Sequence, residues 1–143
     1  MYNNSELKSV TLNTIRQLKS KGEKIACLTA YDAAFANLVD KAGTEIILVG
    51  DSLGMVIQGH KTTVPVTIKD MIYHTKIVAS SVDYSFIISD MPFMSFYNAD
   101  VAMDNAKKLM QDGGAQMVKL EGNKSQINII EKLALSDIPI CAH

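Results

Sequence analysis

The sequence has no tryptophan, only two cysteines and three prolines, and little excess of charge of either sign. A formal net charge of -1 argues against a nucleic-acid-binding surface, since such surfaces are strongly basic. No apolar run approaches the roughly 20 residues that span a bilayer, and the first ten residues lack the charged-then-apolar order of a signal peptide. We therefore expect a cytoplasmic protein that has neither a membrane nor a nucleic acid as its partner.

The two cysteines offer no metal or redox motif. Cys27 and Cys141 are far apart in the sequence, with no CxxC spacing and no nearby pair of histidines. Both lie in short apolar runs, so we expect inert thiols in the core. There is also no low-complexity run and no linker-like segment. With 48% apolar and 20% charged residues, the 143 residues are expected to form one globular domain, residues 1–143.

Short β-rich apolar runs alternate with helical patterns along the chain. This alternation predicts βαβ units around a parallel sheet, because parallel neighbours need a connection long enough to hold a helix. Helix starts are marked by Thr67 with Asp70 three residues later and by Asn98. Four helices are expected between five predicted strands, at residues 25–28, 46–49, 86–89, 116–119 and 138–141. The class is therefore α/β.

Polar residues stand at or just after the carboxyl end of every predicted strand. They are Tyr31 and Asp32, Asp51 and Ser52, Asp90, Lys119 and Glu121, and His143. In parallel α/β folds that edge binds ligands, whereas the opposite edge serves stability. For Asp32 the alternative is a helix N-cap, and for Lys119 it is a side chain that reaches solvent. His74 is taken as a surface or boundary residue, and the role of His60 stays open.

The acidic members of this set suggest a metal site. Asp51 stands between Gly50 and Gly54, which allow a close approach of the backbone to a ligand. Asp90 is followed by Met91-Pro92, so no helix begins there to need a cap. Together with Glu121 these carboxylates are the oxygen ligands that hard divalent ions take, which predicts Mg²⁺. Lys119 would supply a positive charge for an anionic substrate.

Several motifs of the chain resemble the ketopantoate hydroxymethyltransferase family. VGDSLGM at residues 49–55, followed by QGH at 58–60 and PVT at 65–67, is the most specific part of this resemblance. LTAYD at 28–32, DMPFM at 90–94, MVKLEG at 117–122 and PICAH at 139–143 also resemble that family, in its order and at its spacing. The resemblance covers nearly all residues from about 24 onward.

The resemblance implies a parallel (βα)₈ barrel of the TIM type. The implied reaction transfers a hydroxymethyl group from 5,10-methylenetetrahydrofolate to 3-methyl-2-oxobutanoate, giving ketopantoate in the pathway to pantothenate and coenzyme A. It further implies that Asp51 and Asp90 bind Mg²⁺ directly and Glu121 through water. Ser52 and Lys119 would bind the carboxylate of the oxo acid, in a site that includes Asp51 and Asp90. His143 would lie beside the reacting oxygen or the folate.

The chain departs from the family pattern in length. Only about five strands and four helices of the barrel are expected here, with the segment before Gly22 as an extra helix that either plugs or flanks the barrel. The glutamate that the family uses as general base has no counterpart in the chain. Because general base catalysis is worth about 10²–10⁴-fold, we expect little turnover from this chain alone. The expected partners are small molecules and either further copies of the chain or a complementing carboxy-terminal half.

Two other interpretations stay open. One is a Mg²⁺-dependent 2-oxo-acid enzyme of the phosphoenolpyruvate mutase and isocitrate lyase kind, which folate dependence would separate from the transferase. The other is a non-catalytic remnant with a five-stranded doubly wound sheet. Such a remnant should not hold Mg²⁺ and 3-methyl-2-oxobutanoate together.

Overall fold

The computed structural model describes residues 8–143 and contains one parallel sheet with the strand order β1-β2-β3-β4-β5. The strands are β1 (Cys27–Thr29), β2 (Ile46–Val49), β3 (Phe86–Asp90), β4 (Met117–Leu120) and β5 (Ile140–Ala142). The helices are α1 (Leu12–Lys21), α2 (Ala33–Lys41), α3 (Leu53–Val56), α4 (Ile68–Ala79), α5 (Ala99–Gln111) and α6 (Ile127–Leu135), with a 3₁₀ turn at Lys124–Gln126. The predicted α/β class, with strands and helices in alternation, is confirmed.

The strand boundaries differ from prediction mainly at the two edges of the sheet. β1 begins at Cys27 because the pairing register with β2 starts there, opposite Ile46. β5 begins at Ile140, since the Ile138 N–H still donates to the Leu133 carbonyl at the end of α6. Local composition cannot place such limits, because they depend on which backbone groups find a partner on the neighbouring strand.

One face of the sheet is covered by helices, and the main core lies there. Side chains of alternate strand residues point into it from the central strands, and α2, α4, α5 and α6 close it from outside. Its fully or nearly buried members include Ile47, Val49, Ile87, Val118, Leu120, Val39, Met71, Val78, Leu109 and Leu133. The predicted caps of two of these helices are present, with a Thr67–Asp70 capping box on α4 and Asn98 on α5.

The opposite face of the sheet is covered by α1 at the amino-terminal ends of the strands. Val10 is buried with Phe86, Ile88 and Met117, and Leu12 and Ile15 of α1 pack against this second cluster. The Val10 N–H donates to the Tyr84 carbonyl at 2.7 Å, which ties the start of α1 to the start of β3. A role for this helix as a barrel plug stays a prediction, and residues 1–7 of the segment lie outside the described residues.

Asp40 joins α2 to the segment that leads into β3. This buried carboxylate accepts the backbone N–H groups of Asp83, Tyr84 and Ser85 at 2.7–3.1 Å. Burial acts to raise the pKa of Asp40, but these hydrogen bonds outweigh it and hold the pKa below its usual value. The ionised side chain thus fixes the position of α2 relative to β3.

Both edges of the sheet leave apolar side chains exposed. β1 is exposed along its length, and the expectation that Cys27 is a core thiol is wrong because nothing in the described chain covers that side of the strand. The helical periodicity of the sequence predicts one apolar face of α2 with Phe35, Leu38, Val39 and Ala42, but Phe35 and Leu38 are 48% and 63% exposed. Leu135 on α6 is 87% exposed.

None of the helices in the described part of the chain combines the length and the apolarity that crossing a bilayer requires.

Candidate active site

Asp90 and Lys119 form an ion pair at the carboxyl ends of the two central strands. They are register partners in β3 and β4, and Lys119 Nζ lies 2.9 Å from Asp90 Oδ1. Because side chains alternate along a strand, Asp90 shares a face with Phe86 and Ile88, and Lys119 shares that face with Met117. Both groups therefore project from the face that carries α1, at the opposite end of the strands.

The loop after β2 brings Asp51 to the same place. The Asp51 N–H donates to Asp90 Oδ2 at 3.2 Å. A Cβ atom added to Gly50 would lie 3.0 Å from Ser52 Oγ and 3.2 Å from Asp90 Oδ2, so these two oxygens approach the same point of the backbone. Glycine at position 50 leaves room for this close approach, and its φ is not in the left-handed region. The close approach of the backbone to a ligand, which the sequence suggested, stays a prediction.

These residues line a cleft of about 220 Å³ that opens at the carboxyl edge of the sheet. Its polar wall is made of Asp51, Asp90, Lys119, Glu121 and Thr63, and its apolar wall of Val64, Met91, Phe93 and Phe96. The apolar wall was not predicted as part of the site, although two of its members lie in the DMPFM motif. The cleft therefore places acidic groups and one cation opposite a surface that suits a small aliphatic group.

Burial and the neighbouring charges act against each other on the pKa values of Asp90 and Lys119. Burial is the largest influence on Asp90 and raises its pKa above the usual aspartate value, although Lys119 and the Asp51 N–H act in the opposite direction. Burial also acts to lower the pKa of Lys119, but Asp90 and Glu121 together raise it above the usual lysine value. Lys119 is therefore cationic near neutral pH, whereas for Asp90 burial outweighs the stabilisation of the charged form by Lys119 and by the Asp51 N–H.

Glu121 and His143 form an exposed extension of the site. Glu121 Oε1 lies 3.4 Å from Lys119 Nζ and 2.9 Å from His143 Nδ1. The hydrogen bond from His143, followed by the charge of Lys119, lowers the pKa of Glu121. Both Glu121 and His143 are 68% exposed, so this pair borders the cleft and is open to solvent. Their proposed roles toward metal, oxygen or folate stay predictions.

Ser52 stands at the start of α3, but its side chain makes no cap hydrogen bond there. Its hydroxyl instead lies 2.7 Å from the Tyr31 hydroxyl, and the Tyr31 carbonyl lies 2.7 Å from His74 Nδ1. His74 is half-buried, which agrees with a boundary residue, but its contact with Tyr31 was not predicted. Asp32 caps α2 by accepting the Phe35 N–H, which confirms the alternative that made it a cap, and His60 is exposed.

The carboxylates fit a divalent ion held by few protein ligands. Asp51 and Asp90 line the same cleft, and the side chain of Asp90 is buried there. Within residues 8–143 no three His, Cys, Asp or Glu side chains are arranged as a metal-binding group. Mg²⁺ commonly takes one or two carboxylates and completes its coordination with water and substrate oxygens, so two aspartates meet its requirements.

Solved structures with the same fold are parallel-sheet enzymes of the phosphoenolpyruvate mutase and isocitrate lyase type. The chain is similar to phosphonopyruvate hydrolase in complex with oxalate and Mg²⁺, with a TM-score of 0.70 and 16% identity over 90% of this chain and 50% of that one. Oxaloacetate acetylhydrolase gives a TM-score of 0.70 with 13% identity, covering 93% of this chain and 52% of that one. The chain thus has the fold of these TIM-barrel enzymes, over about half of their length.

Sequence comparison narrows this class to one family. The profile described as ketopantoate hydroxymethyltransferase matches residues 9–143, and the chain belongs to this family. It is 54% identical over 134 residues to 3-methyl-2-oxobutanoate hydroxymethyltransferase of Nitrosococcus oceani, covering 94% of this chain and 51% of that protein. The enzyme 3-methyl-2-oxobutanoate hydroxymethyltransferase 2 of Hahella chejuensis is 56% identical over 135 residues, with the same coverage. The chain spans about half the length of the curated relatives it matches.

Proposed function

We propose that this chain carries the metal and 2-oxo-acid site of an enzyme that transfers a hydroxymethyl group from 5,10-methylenetetrahydrofolate to 3-methyl-2-oxobutanoate, forming ketopantoate. The observation that carries the proposal is the convergence of Asp51, Asp90 and Lys119 on one cleft at the carboxyl edge of the sheet. Family membership supports the reaction, since the relatives are named for it. The small-molecule substrates, the cytoplasmic location and a homo-oligomeric state belong to the same proposal.

The charge of each side chain indicates which ligand it would bind. Asp51 and Asp90 would hold Mg²⁺, with Glu121 in reach of the cleft through water. Lys119 and Ser52 would bind the carboxylate of the oxo acid, the lysine by charge and the serine by its hydroxyl. The apolar wall of Val64, Phe93 and Phe96 would contact the branched alkyl group. His143 would act beside the reacting oxygen or the folate.

A bound Mg²⁺ would supply positive charge to the oxygens of the oxo acid and stabilise the negative charge that develops when the adjacent carbon loses a proton. Lys119 pairs with Asp90 at 2.9 Å. A cation held by Asp90 would compete for this carboxylate, so that Lys119 could bind the carboxylate of the oxo acid. By the family resemblance, the proton would be taken by a glutamate in the part of the relatives that this chain does not match.

The proposal is tested by calorimetric titration of 3-methyl-2-oxobutanoate in the presence and absence of Mg²⁺. The unsubstituted chain should bind the oxo acid only with Mg²⁺, and Asp51→Asn should weaken this binding by at least about tenfold, because a charged metal ligand is lost. Asp32→Asn is the matched control, since Asp32 caps α2 outside the cleft and asparagine caps equally well. Equal binding by the Asp51→Asn variant and the control would refute the assignment of Asp51.

The fold supports a second candidate, a Mg²⁺-dependent 2-oxo-acid enzyme of the phosphoenolpyruvate mutase and isocitrate lyase kind. One of its members was solved with oxalate and Mg²⁺, ligands of the chemistry expected here. The two candidates differ in the second substrate. A competent enzyme assembled with this chain would need methylenetetrahydrofolate in the first case and would act without it in the second. A remnant without catalytic function would not hold Mg²⁺ and 3-methyl-2-oxobutanoate together.

A further inference from the structure

The hydroxyl of Ser52 contacts a residue that is not among the assigned site residues. Tyr31 OH lies 2.7 Å from Ser52 Oγ, although the two residues are 21 positions apart in the sequence. Ser52 makes no cap bond to α3, so this contact is what fixes its side chain. A Cβ atom added to Gly50 would lie 3.0 Å from Ser52 Oγ and 3.2 Å from Asp90 Oδ2. The Ser52 hydroxyl is therefore near the Asp90 carboxylate that lines the cleft, although Ser52 and Tyr31 are not themselves lining residues.

Tyr31 is itself held in place from two directions. Its ring is half-buried and packs against the helix-covered core. Its backbone carbonyl lies 2.7 Å from His74 Nδ1, and since a carbonyl only accepts, Nδ1 carries the hydrogen and donates it. Asp32, the next residue, is fixed as the N-cap of α2. The phenol is thus presented to Ser52 by a segment with little freedom to move.

A bound carboxylate would determine the direction of the hydrogen bond between the Tyr31 and Ser52 hydroxyls. A serine hydroxyl has one hydrogen, so it donates either to Tyr31 or to a ligand in the cleft. If the ligand is a carboxylate, which accepts only, the Ser52 hydrogen must point to it. The Tyr31 hydroxyl must then donate to Ser52 Oγ. A hydrogen bond received in this way polarises the serine hydroxyl and strengthens its donation to the anion.

We propose that Tyr31 is a positioning residue of the oxo-acid site, which donates to Ser52 Oγ and so directs the Ser52 hydrogen toward the carboxylate of the ligand. The inference rests on the proposed function, because it takes a carboxylate as the occupant of the cleft. It extends the site by a residue on the loop after β1, and it gives His74 a supporting role through the Tyr31 carbonyl.

The test is a double-mutant cycle of Tyr31→Phe and Ser52→Ala, because a cycle separates an effect through Ser52 from an independent one. Binding of 3-methyl-2-oxobutanoate and of oxalate, each with Mg²⁺, is measured by calorimetry for the unsubstituted chain, both single variants and the double variant. Each single substitution should weaken binding by about 3- to 10-fold, the effect of one hydrogen bond. In the Ser52→Ala background, Tyr31→Phe should have no further effect.

Two controls distinguish a loss of folding from the loss of the hydrogen bond to Ser52. Tyr31→Phe retains the ring that packs on the core, and thermal melting of each variant verifies folding before binding is measured. Tyr73→Phe removes a hydroxyl from an exposed tyrosine of α4 outside the cleft and should leave binding unchanged. A merely structural tyrosine would weaken binding equally with and without the Ser52 hydroxyl.

The outcomes separate this inference from the proposed function. Unchanged binding by Tyr31→Phe, or an equal loss in both backgrounds, overturns the role of Tyr31. If oxalate binds and shows the cycle but 3-methyl-2-oxobutanoate does not bind, the proposed substrate is wrong and the role of Tyr31 stands. If the unsubstituted chain binds neither acid with Mg²⁺, both proposals are overturned.

Discussion

Gly50 is the residue on which the geometry of the site depends most directly. A methyl group there would lie 3.0 Å from Ser52 Oγ and 3.2 Å from Asp90 Oδ2, closer than ordinary contacts. We predict that Gly50→Ala displaces both oxygens and weakens Mg²⁺-dependent oxo-acid binding at least about fivefold, the effect of about 1 kcal/mol of overpacking. Calorimetry measures the binding and thermal melting measures the stability, which should change little because both neighbours are side-chain ends beside an open cleft.

Gly54, in the same motif, offers a contrasting substitution. A Cβ at this position would lie 2.4 Å from Cγ2 of Val66, a side chain that is 3% exposed and packed in the main core. We predict that Gly54→Ala costs about 1–3 kcal/mol of folding free energy, because the core must move to admit the methyl group. Urea unfolding measures this loss. If Gly54→Ala unfolds at the same urea concentration as the unsubstituted chain, the close packing of α3 on Val66 is refuted.

Individual site residues were predictable where their position follows from the strand pattern. Asp51, Asp90 and Lys119 stand at strand ends, and parallel strands bring those ends to one edge, so sequence reasoning predicted that they lie together. The bond between Tyr31 and Ser52 and the cleft wall at Val64 and Phe93 were not predicted. These contacts depend on the paths of loops, and no periodic signal in the sequence specifies how a loop folds back over the sheet.

At the scale of the elements, the attachment of α2 to β3 depends on the charge of Asp40. Its carboxylate satisfies three buried or half-buried backbone N–H groups, so Asp40→Asn, which replaces one acceptor oxygen by a donor, should cost about 2 kcal/mol at neutral pH. Because the pKa of Asp40 is lowered in the folded state, its contribution is complete above the unfolded value near pH 4 and is lost as the pH falls through the folded value.

Urea unfolding of the unsubstituted chain and of the Asp40→Asn variant between pH 7 and pH 2 checks this prediction of pH dependence. The difference in free energy of unfolding between the unsubstituted chain and Asp40→Asn should be constant from pH 7 to about pH 4 and should narrow below it. Asp83→Asn is the control, because Asp83 is exposed and only its backbone N–H takes part in the contact. A difference that does not vary with pH would show that the charge of Asp40 is not what anchors α2.

The elements themselves were largely predictable because local chemistry specifies them. Capping residues such as Thr67 and Asn98 begin helices where the sequence indicated, since their side chains bond backbone N–H groups three residues on. The buried face of α2 was predicted only in part. Periodicity placed Phe35, Leu38, Val39 and Ala42 on one face. Of these only Val39 is buried, together with Ala36 and Asp40, which were not predicted. Which face of a helix is covered depends on the neighbours that pack against it, and helical periodicity does not contain that information.

At the scale of the whole molecule, the described part of the chain has two edge strands, β1 and β5, each of which pairs with one strand only. Leu38 of α2 and Leu135 of α6 are among the most exposed large apolar residues of the described chain, one beside each edge. For these two helices, the main helix contacts within residues 8–143 are those of α2 with α4 and of α6 with α5. Unpaired parallel edges with apolar flanks favour association with further strands and helices.

We predict that the two edges bind the carboxy-terminal half of a full-length relative, such as the Hahella chejuensis enzyme, of which this chain matches 51%. Mixing the two should give a one-to-one complex that forms ketopantoate from 3-methyl-2-oxobutanoate and methylenetetrahydrofolate. Leu38→Glu and Leu135→Glu should each weaken the complex, because a charge would be buried at a contact. Tyr73→Glu should not, since Tyr73 is equally exposed but lies on α4, between α2 and α5.

Size-exclusion chromatography with light scattering measures the complex, and an enzyme assay measures the product. A complex that forms equally well with all three variants would place the contact elsewhere, and a complex without turnover would mean that the closed sheet alone does not complete the site.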